Sequence, residues 1–306
     1  MVFDAAYVRQ AELMLRCLPE VGKQSCFAVK GGTAINLFLR SMPRLSVDID
    51  LTYLPLSARD EALRGIGDGL RAIAQDIERH VPGTRTTFRH AQGTVTAVNV
   101  TTDEAQIKIE ANLVLRGTVH PPVQRDLCRE AVDRFEMFVS ARCLSLEDLY
   151  AGKICAALDR QHPRDLYDVH VMLEKEGFTA GIRRSFVVYL AGHSRPMHEL
   201  LDPHHRDLGR VYDEQFVGMM AEAVPLEALY ETRERLVNMI RLDLKENERR
   251  FLLSMKRGEP EWTALAVEHL ETLPALQWKL LNIRRMDEGK RDAALAELQR
   301  VLQLEP

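Results

Sequence analysis

The sequence predicts an α+β protein: an N-terminal domain, residues 1–120, built round a small mixed sheet, followed by a mainly helical C-terminal domain, residues 121–306. Three observations carry that expectation. Clean strand alternation is confined to residues 47–53, 94–100 and 106–115. Helical apolar spacing dominates after Pro121-Pro122, where strand signals fade. A glycine pair, Gly31-Gly32, opens a helical pattern that stops just ahead of the first of those strands.

Residues 5–18 have the apolar spacing of a helix. After Lys30-Gly31-Gly32-Thr33, residues 34–40 read as a second helix whose N-terminal amides face the glycine turn, with Thr33 placed to cap it or to touch a phosphate. Met42-Pro43 ends that helix, because proline disfavours a helical residue before it. In residues 47–53, Asp48, Asp50 and Thr52 share one strand face while Val47, Ile49, Leu51 and Tyr53 share the other. Residues 58–80 form a long amphipathic helix, and 94–100 with 106–115 form a hairpin around Asp103-Glu104. In its second strand Gln106, Lys108, Glu110 and Asn112 lie on one face and Ile107, Ile109, Ala111 and Leu113 on the other, so one face meets the core and the other stays open. Arg116, before Gly117, is placed to meet a phosphate or to cap the sheet.

Beyond a short strand near 135–139, a helix starts at Ser145 with an acidic first turn and carries Lys153 and Arg160 on nearly the same face. Another follows Pro163, with Asp165 and Asp168 three residues apart. Two long helical segments, 225–256 and 261–304, complete the chain, the second broken or kinked at Pro274. The basic residues of the first (Arg233, Arg235, Arg241, Lys245, Arg249, Arg250) are either a solvated face or the lining of an RNA groove. His193, His198, His204 and His205 fall in a loop without the helix-face spacing that fixes metal-binding imidazoles.

Glycines let the backbone approach a phosphate closely, and two carboxylates side by side on one strand face repel unless a cation sits between them. Mg²⁺ or Mn²⁺ suits Asp48 and Asp50, since hard cations take one or two carboxylates and let substrate phosphates complete the shell. A glycine turn joined to such a pair is the layout of a metal-dependent nucleotide-transfer site.

The run from Lys30 to Tyr53 resembles the first motif of the DNA polymerase β-like nucleotidyltransferase superfamily, and in particular the AbiEii family of toxins of bacterial toxin–antitoxin (abortive infection) systems. Leu146-Glu147-Asp148-Leu149-Tyr150-Ala151-Gly152-Lys153 and Arg164-Asp165-Leu166-Tyr167-Asp168-Val169 agree with that family, and Leu273-Pro274-Ala275-Leu276-Gln277-Trp278-Lys279-Leu280 is similar more weakly. The resemblance implies a nucleotidyltransferase fold for the first domain and a helical domain that completes the nucleotide site and binds the acceptor. It implies metal ligation by Asp48 and Asp50, and Glu110 as a third carboxylate able to accept the proton of the attacking hydroxyl. Lys30, Gly31, Gly32, Thr33 and Ser46 would bind the nucleotide, and Lys153 would clamp its triphosphate. Lys153 and Asp165 match the family's later functional lysine and aspartate, with Asp168 a structural partner; many members carry Gly-Ser or a shorter spacing before the aspartates, which leaves the phosphate contacts of Thr33 open. The substrate implied is an NTP, the acceptor an RNA, the tRNA 3′ end, with translation blocked until a cognate antitoxin encoded nearby relieves it.

Composition sets outer bounds. With 46% hydrophobic and 28% charged residues, the 306-residue chain is globular rather than disordered, and its net charge of −4 gives no overall basic field, so a nucleic-acid contact needs a local patch. Five scattered cysteines without Cys-x-x-Cys spacing read as reduced thiols, and the absence of a signal-like or membrane-spanning apolar run leaves the cytoplasm as the expected location. Two other readings stay open: a small-molecule, antibiotic-type nucleotidyltransferase, and a nucleotide-binding protein without turnover.

Overall fold

A computed structural model describes residues 3–302. They form two compact units: one of the residues up to Ser145 with Phe216–Ala223, the other of Leu146–Gln215 and the chain from Val224 onward. The sequence pattern places the boundary at Pro121-Pro122, 24 residues earlier than Ser145. The difference has a simple cause: two strands beyond those prolines pair into the first unit's sheet.

In the first unit, α1 (Ala5–Gly22) leads into β1 (Phe27–Lys30), a short helix α2 (Gly31–Thr33) continuing as a π-helical turn (Ala34–Leu39), β2 (Ile49–Tyr53) and α3 (Arg59–His80). Strands β3 (Arg85–Ala91), β4 (Thr94–Thr101), β5 (Gln106–Ala111) and β6 (Val123–Asp126) follow, then α4 (Arg129–Phe135) and β7 (Ser140–Cys143). The seven strands make one mixed sheet in the order β3-β4-β5-β2-β1-β7-β6, with β2 parallel to β5, β1 parallel to β7 and the other pairs antiparallel. The expected mixed sheet is therefore present. The short strand expected near 135–139 falls instead at Ser140–Cys143, after α4.

Ile49, Leu51, Val98, Val100, Ile107 and Ile109 are fully or almost fully buried, and α1 and α3 pack against this part of the sheet. Helix α3 presents Ala62, Ile66, Leu70, Ile73 and Ile77 to that core. Its three internal glycines, normally costly in a helix, are explained by closeness: a Cβ at Gly65 would collide with Tyr53 Oη, at Gly67 with Thr94 Oγ1, and at Gly69 with the Phe27 ring. The segment Phe216–Ala223 rejoins this unit by backbone bonds, Leu45 N–H to Met219 C=O and Ala221 N–H to Pro43 C=O, both 2.8 Å. It thereby braces the loop that leads into β2.

The second unit is helical, as the sequence pattern implies: α5 (Leu146–Asp159), α6 (Pro163–Lys175), α7 (Ala180–Gly192), α8 (Met197–Leu201), α9 (Gly209–Gln215), α10 (Leu226–Asp243), α11 (Glu246–Arg257), α12 (Pro274–Arg284) and α13 (Glu288–Val301). The expected run 225–256 is broken between Asp243 and Glu246, and Pro274 begins α12 at its first turn rather than kinking a longer helix. Glu248, 2% exposed in its side chain, receives Arg183 Nε on both carboxylate oxygens at 2.9 Å and also accepts from Lys245 N–H. The cysteines are free thiols, and burial pushes Cys17 and Cys143 up to about 12. Among the described residues no helix is long and apolar enough to cross a membrane.

Candidate active site

The site of the first unit is built where β1 ends and β2 begins. Lys30 and Asp50 are register partners across these antiparallel strands, and Lys30 is the residue from which α2 departs. Gly31 takes φ +66°, a left-handed conformation, and a Cβ there would lie 2.6 Å from Asp50 Oδ2. Glycine is thus demanded twice, by backbone angle and by the carboxylate resting on it. At Gly32 a Cβ would lie 2.7 Å from the Arg44 guanidinium and 3.0 Å from Ser46 Oγ. The space over both glycine α-carbons is filled by the protein's own polar groups, a close approach that the sequence pattern assigns to phosphate.

Thr33 and Ser46 have inward duties. Thr33 is 1% exposed; its hydroxyl lies 3.0 Å from Ser46 Oγ and donates to the Asp48 carbonyl. The helix N-cap is Lys30, without a side-chain cap, so the capping role expected of Thr33 is not taken up. Ser46 is itself buried. Together these hydroxyls fix the chain just before the two aspartates, while Asn36 Nδ2 donates to the Gly32 carbonyl at 2.9 Å and steadies the turn from behind. Arg44, 2% exposed and donating to the Leu45 carbonyl, is a buried cation that periodicity gives no means of finding, because it lies in an irregular loop.

Asp50 pairs in register with Glu110 on the adjacent parallel strand, and Glu110 pairs with Ala97, which pairs with Arg89. Register partners point to the same sheet face, so this row runs Lys30, Asp50, Glu110, Ala97, Arg89 across five strands on the side away from the apolar core. A neighbouring row carries Lys108, Asn99 and Thr87. Asp48 lies immediately before β2 and accepts from the Lys108 backbone N–H at 3.2 Å. Asp48, Asp50 and Glu110 thus come together on the open face.

Lys108 Nζ lies 2.5 Å from Glu110 Oε2. Partial burial works to lower the lysine's pKa, but the bond to Glu110 and the charges of Glu110, Asp48 and Asp50 outweigh it and hold the pKa above the ordinary lysine value. The ammonium therefore stands as a positive group in the field of all three carboxylates. A cluster that draws in a cation in this way, through hard oxygen donors, fits a divalent ion of the Mg²⁺ or Mn²⁺ kind. Another acidic group, Glu20, Asp76 and His80, has metal-ligand spacing, but Lys23 already bridges it through Glu20.

In the second unit the sequence-predicted Lys153 and Asp165 do meet. Lys153 Nζ lies 2.8 Å from Asp165 and 2.9 Å from Asp168, with only 6% of its side chain exposed. Arg160 Nε reaches the second Asp165 oxygen at 2.5 Å and Nη2 the first at 3.0 Å, with 62% of its side chain exposed. Burial alone would raise Asp165, but the charges of Lys153 and Arg160 and their hydrogen bonds hold it well below the usual carboxylate range. Lys153 is thus a buried, doubly neutralised cation, and Arg160 is the charge this cluster shows to solvent.

Of the basic residues expected to form either a solvated face or an RNA groove, the five arginines are engaged within their own unit, and Lys245 is exposed. Arg233 is buried and donates to the Arg206 carbonyl and Gln161; Arg235 pairs with Glu174, Arg241 with Asp202 and Arg250 with Glu261. Arg249 donates to the carbonyls of Leu244, Arg241 and Leu302. His193, His198, His204 and His205 form no group of three metal-ligand side chains among the described residues.

The profile of the family described as Nucleotidyl transferase AbiEii toxin, Type IV TA system, matches residues 12–282. Among solved structures, MenT4, a nucleotidyltransferase toxin of Mycobacterium tuberculosis H37Rv, is similar in fold, with a TM-score of 0.59 at 17% identity over 90% of this chain and 92% of that one. No curated protein gives a sequence match.

Two expected outcomes follow from the geometry. Gly31→Ala is strained by its φ and presses on Asp50, so it lowers stability by about 1–3 kcal/mol and displaces the carboxylate, whereas Gly22→Ala, with nothing within 4 Å of the new Cβ, is neutral; urea unfolding of both variants checks this. Lys153→Met leaves two buried carboxylates with one cation fewer and costs about 3–5 kcal/mol at neutral pH. The wild-type contribution of Asp165, whose pKa is depressed, is present above its unfolded value and is lost as pH falls. In the variant the stranded carboxyls protonate at higher pH, so unfolding curves at neutral pH and at about pH 4 should show the gap between the two proteins narrowing in acid.

Proposed function

The chain belongs to the AbiEii family of nucleotidyltransferase toxins, and on that premise we propose that it transfers a nucleotide from an NTP to the 3′ end of a tRNA, in a metal-dependent reaction that blocks translation until a cognate antitoxin intervenes. As a member of that family it is an enzyme of nucleotidyltransferase type, the toxin of a type IV toxin–antitoxin pair. The observation that carries the finer reading is the meeting of Asp48, Asp50 and Glu110 on one open sheet face beside Lys108.

Asp48 and Asp50 would hold the divalent ion, which when bound neutralises phosphate charge and polarises the bond to be broken. The transfer forms a bond from an acceptor hydroxyl oxygen to the α-phosphorus and releases pyrophosphate. Glu110, with 45% of its side chain exposed, is placed beside Asp50 to take the hydroxyl proton. Lys108 adds positive charge on the same face, against the oxygens of the α-phosphoryl group. Lys30 and the first amides of α2, held by the Gly31 turn, are the groups assigned to the terminal phosphates.

Lys153 and Asp165 act in this reading as a positioning pair: the buried ions hold α5 to α6, and Arg160, seated on Asp165, carries the accessible charge that the sequence gives to Lys153. For the acceptor, the rows beyond Glu110 offer Arg89, Thr87 and Asn99 on the same face as the carboxylates. That polar platform suits a phosphodiester strand better than it suits a cationic small molecule, which favours the RNA acceptor over the antibiotic-type reading.

Asp48→Asn and Asp50→Asn should each abolish transfer of label from α-labelled NTPs to total tRNA, at least about 100-fold, and abolish growth arrest at equal expression while the protein stays folded. Wild-type toxicity in either variant would remove the nucleotide-transfer reading. Label in a small cationic acceptor with none in tRNA would replace the RNA acceptor.

A further inference from the structure

The C-terminal ends of α1 and α3, two helices that pack together in the first unit, join a second set of ligand-type side chains apart from the strand carboxylates. Glu20 lies in the last turn of α1, and Asp76 and His80, four residues apart, share one face at the end of α3. A carboxylate oxygen of each acid and a ring nitrogen of His80 all lie within 4.8 Å of one another. Imidazole nitrogen combined with carboxylate oxygen is the ligand chemistry of zinc, whereas the Asp48 and Asp50 face offers oxygen alone.

The closest pair of atoms decides how the set can be used. Glu20 Oε2 and His80 Nδ1 are 3.1 Å apart. Two ligands bound at about 2.1 Å in a tetrahedral zinc shell stand about 3.4 Å from each other, so these two atoms already span one edge of such a shell. Asp76 closes in from no more than 4.8 Å, and little holds it back, because its ion pair with Arg79 is a loose one of 3.8 Å.

A cation is already drawn to the same point. The Lys23 ammonium bonds Glu20 Oε2 and lies 3.4 Å from His80 Nδ1. An ammonium only donates, so the ring nitrogen meets it with the lone pair that would bind a metal. Burial works to raise the pKa of Glu20, which is 8% exposed, and the bonds and charges of Lys23 and His80 bring it below the ordinary carboxylate value. The carboxylate also sits where two helices end, and the negative ends of their dipoles favour positive charge. Lys23 has 46% of its side chain exposed and can turn out to water at small cost, while a dication left in its place takes up all three ligands.

We propose that Glu20, Asp76 and His80 form a zinc site that staples the end of α1 to the end of α3, with Lys23 as the cation that the metal displaces. Three protein ligands leave a fourth position for water. His80 and Lys23 are both exposed at the rim, so the ion reaches the site from solvent without opening the core. The site makes no use of Asp48 or Asp50 and does not depend on the roles given to them.

The test is zinc binding to the full chain, stripped of metal and titrated with Zn²⁺ alone in competition with a chromogenic chelator, with thermal melting alongside. Wild type should bind one equivalent that raises its melting temperature by about 5–10 °C at a hundredfold excess over the dissociation constant. His80→Ala and Asp76→Asn, changed at the solvent-facing end of a helix, should melt close to wild type without zinc and bind that equivalent at least about tenfold more weakly. Lys23→Met should bind it about two- to fivefold more tightly, since no salt-bridged ammonium has to be displaced. Asp50→Asn should keep it. Affinity unchanged in His80→Ala or in Asp76→Asn, or the equivalent lost in Asp50→Asn, places the ion elsewhere and overturns the proposal. Binding no tighter in Lys23→Met than in wild type overturns it as well, because the ion then does not compete with the ammonium. A wild type that takes up no zinc does the same and leaves Lys23 as the permanent partner of Glu20.

Discussion

The carboxylate of Asp50 resting on the bare α-carbon of Gly31 is the contact on which the rest of this site depends. It allows β1 to turn into α2 without moving away from β2, so that the start of a helix and two strand aspartates occupy the same few ångströms. No side chain larger than hydrogen fits, and no other residue adopts the turn's φ without strain. Everything behind the contact serves to hold it: Thr33 on Ser46 and the Asp48 carbonyl, Asn36 on Gly32, Arg44 beneath Gly32. Even the excursion Phe216–Ala223 contributes, by pairing with the loop that delivers Ser46 and Asp48.

Electrostatics explains why such rigidity is needed. Three carboxylates on neighbouring backbone positions repel, and a flexible site would relieve the repulsion by swinging them apart. Here the sheet register fixes Asp50 against Glu110 and the Lys108 amide fixes Asp48, so the repulsion is answered by a cation instead. In the protein alone that cation is the Lys108 ammonium, set one row away from Glu110. The second unit solves a similar problem in the opposite sense: Asp165 and Asp168 are buried too deeply to stand alone, and Lys153 is consumed in neutralising them. The resemblance assigns that lysine to the triphosphate; in the structure its ammonium lies between Asp165 and Asp168, and Arg160 is the more exposed cation of the cluster.

Much of this is legible in the amino-acid sequence alone. The parity of Asp48 and Asp50, the alternation of Gln106 to Ala111 and the shared helix face of Asp165 and Asp168 follow from periods of 2 and 3.6 residues, whereas Lys153 and Asp165 stand out only through the family resemblance. Strands β1 and β3 escape those periods for different reasons. Phe27–Lys30 is four residues of nearly continuous burial with no alternation to detect. Arg85–Ala91 lies almost wholly exposed at the sheet edge, although Pro82-Gly83 before it and Gln92-Gly93 after it are turn signals that bracket a strand. The domain boundary falls too early in the sequence pattern because Val123–Asp126 and Ser140–Cys143 are too short and too polar to register as strands, and only the pairing of β7 with β1 and of β6 with β7 reveals them. The inward turn of Thr33 and the depth of Arg44 leave no trace in the pattern, since both depend on contacts across loops.

The distribution of charge then decides where a polyanion can be met. A chain with a net charge of −4 has no long-range attraction to offer, so phosphate is recruited locally, at least cost by cations not already matched by acids or carbonyls. Counting basic residues along α10 and α11 suggests a groove, but every one of Arg233, Arg235, Arg241, Arg249 and Arg250 has a partner within the unit, and an incoming phosphate would have to displace it. Affinity for an anion depends on what the cation gives up to bind, and arginines already in use must first give up the bonds they hold.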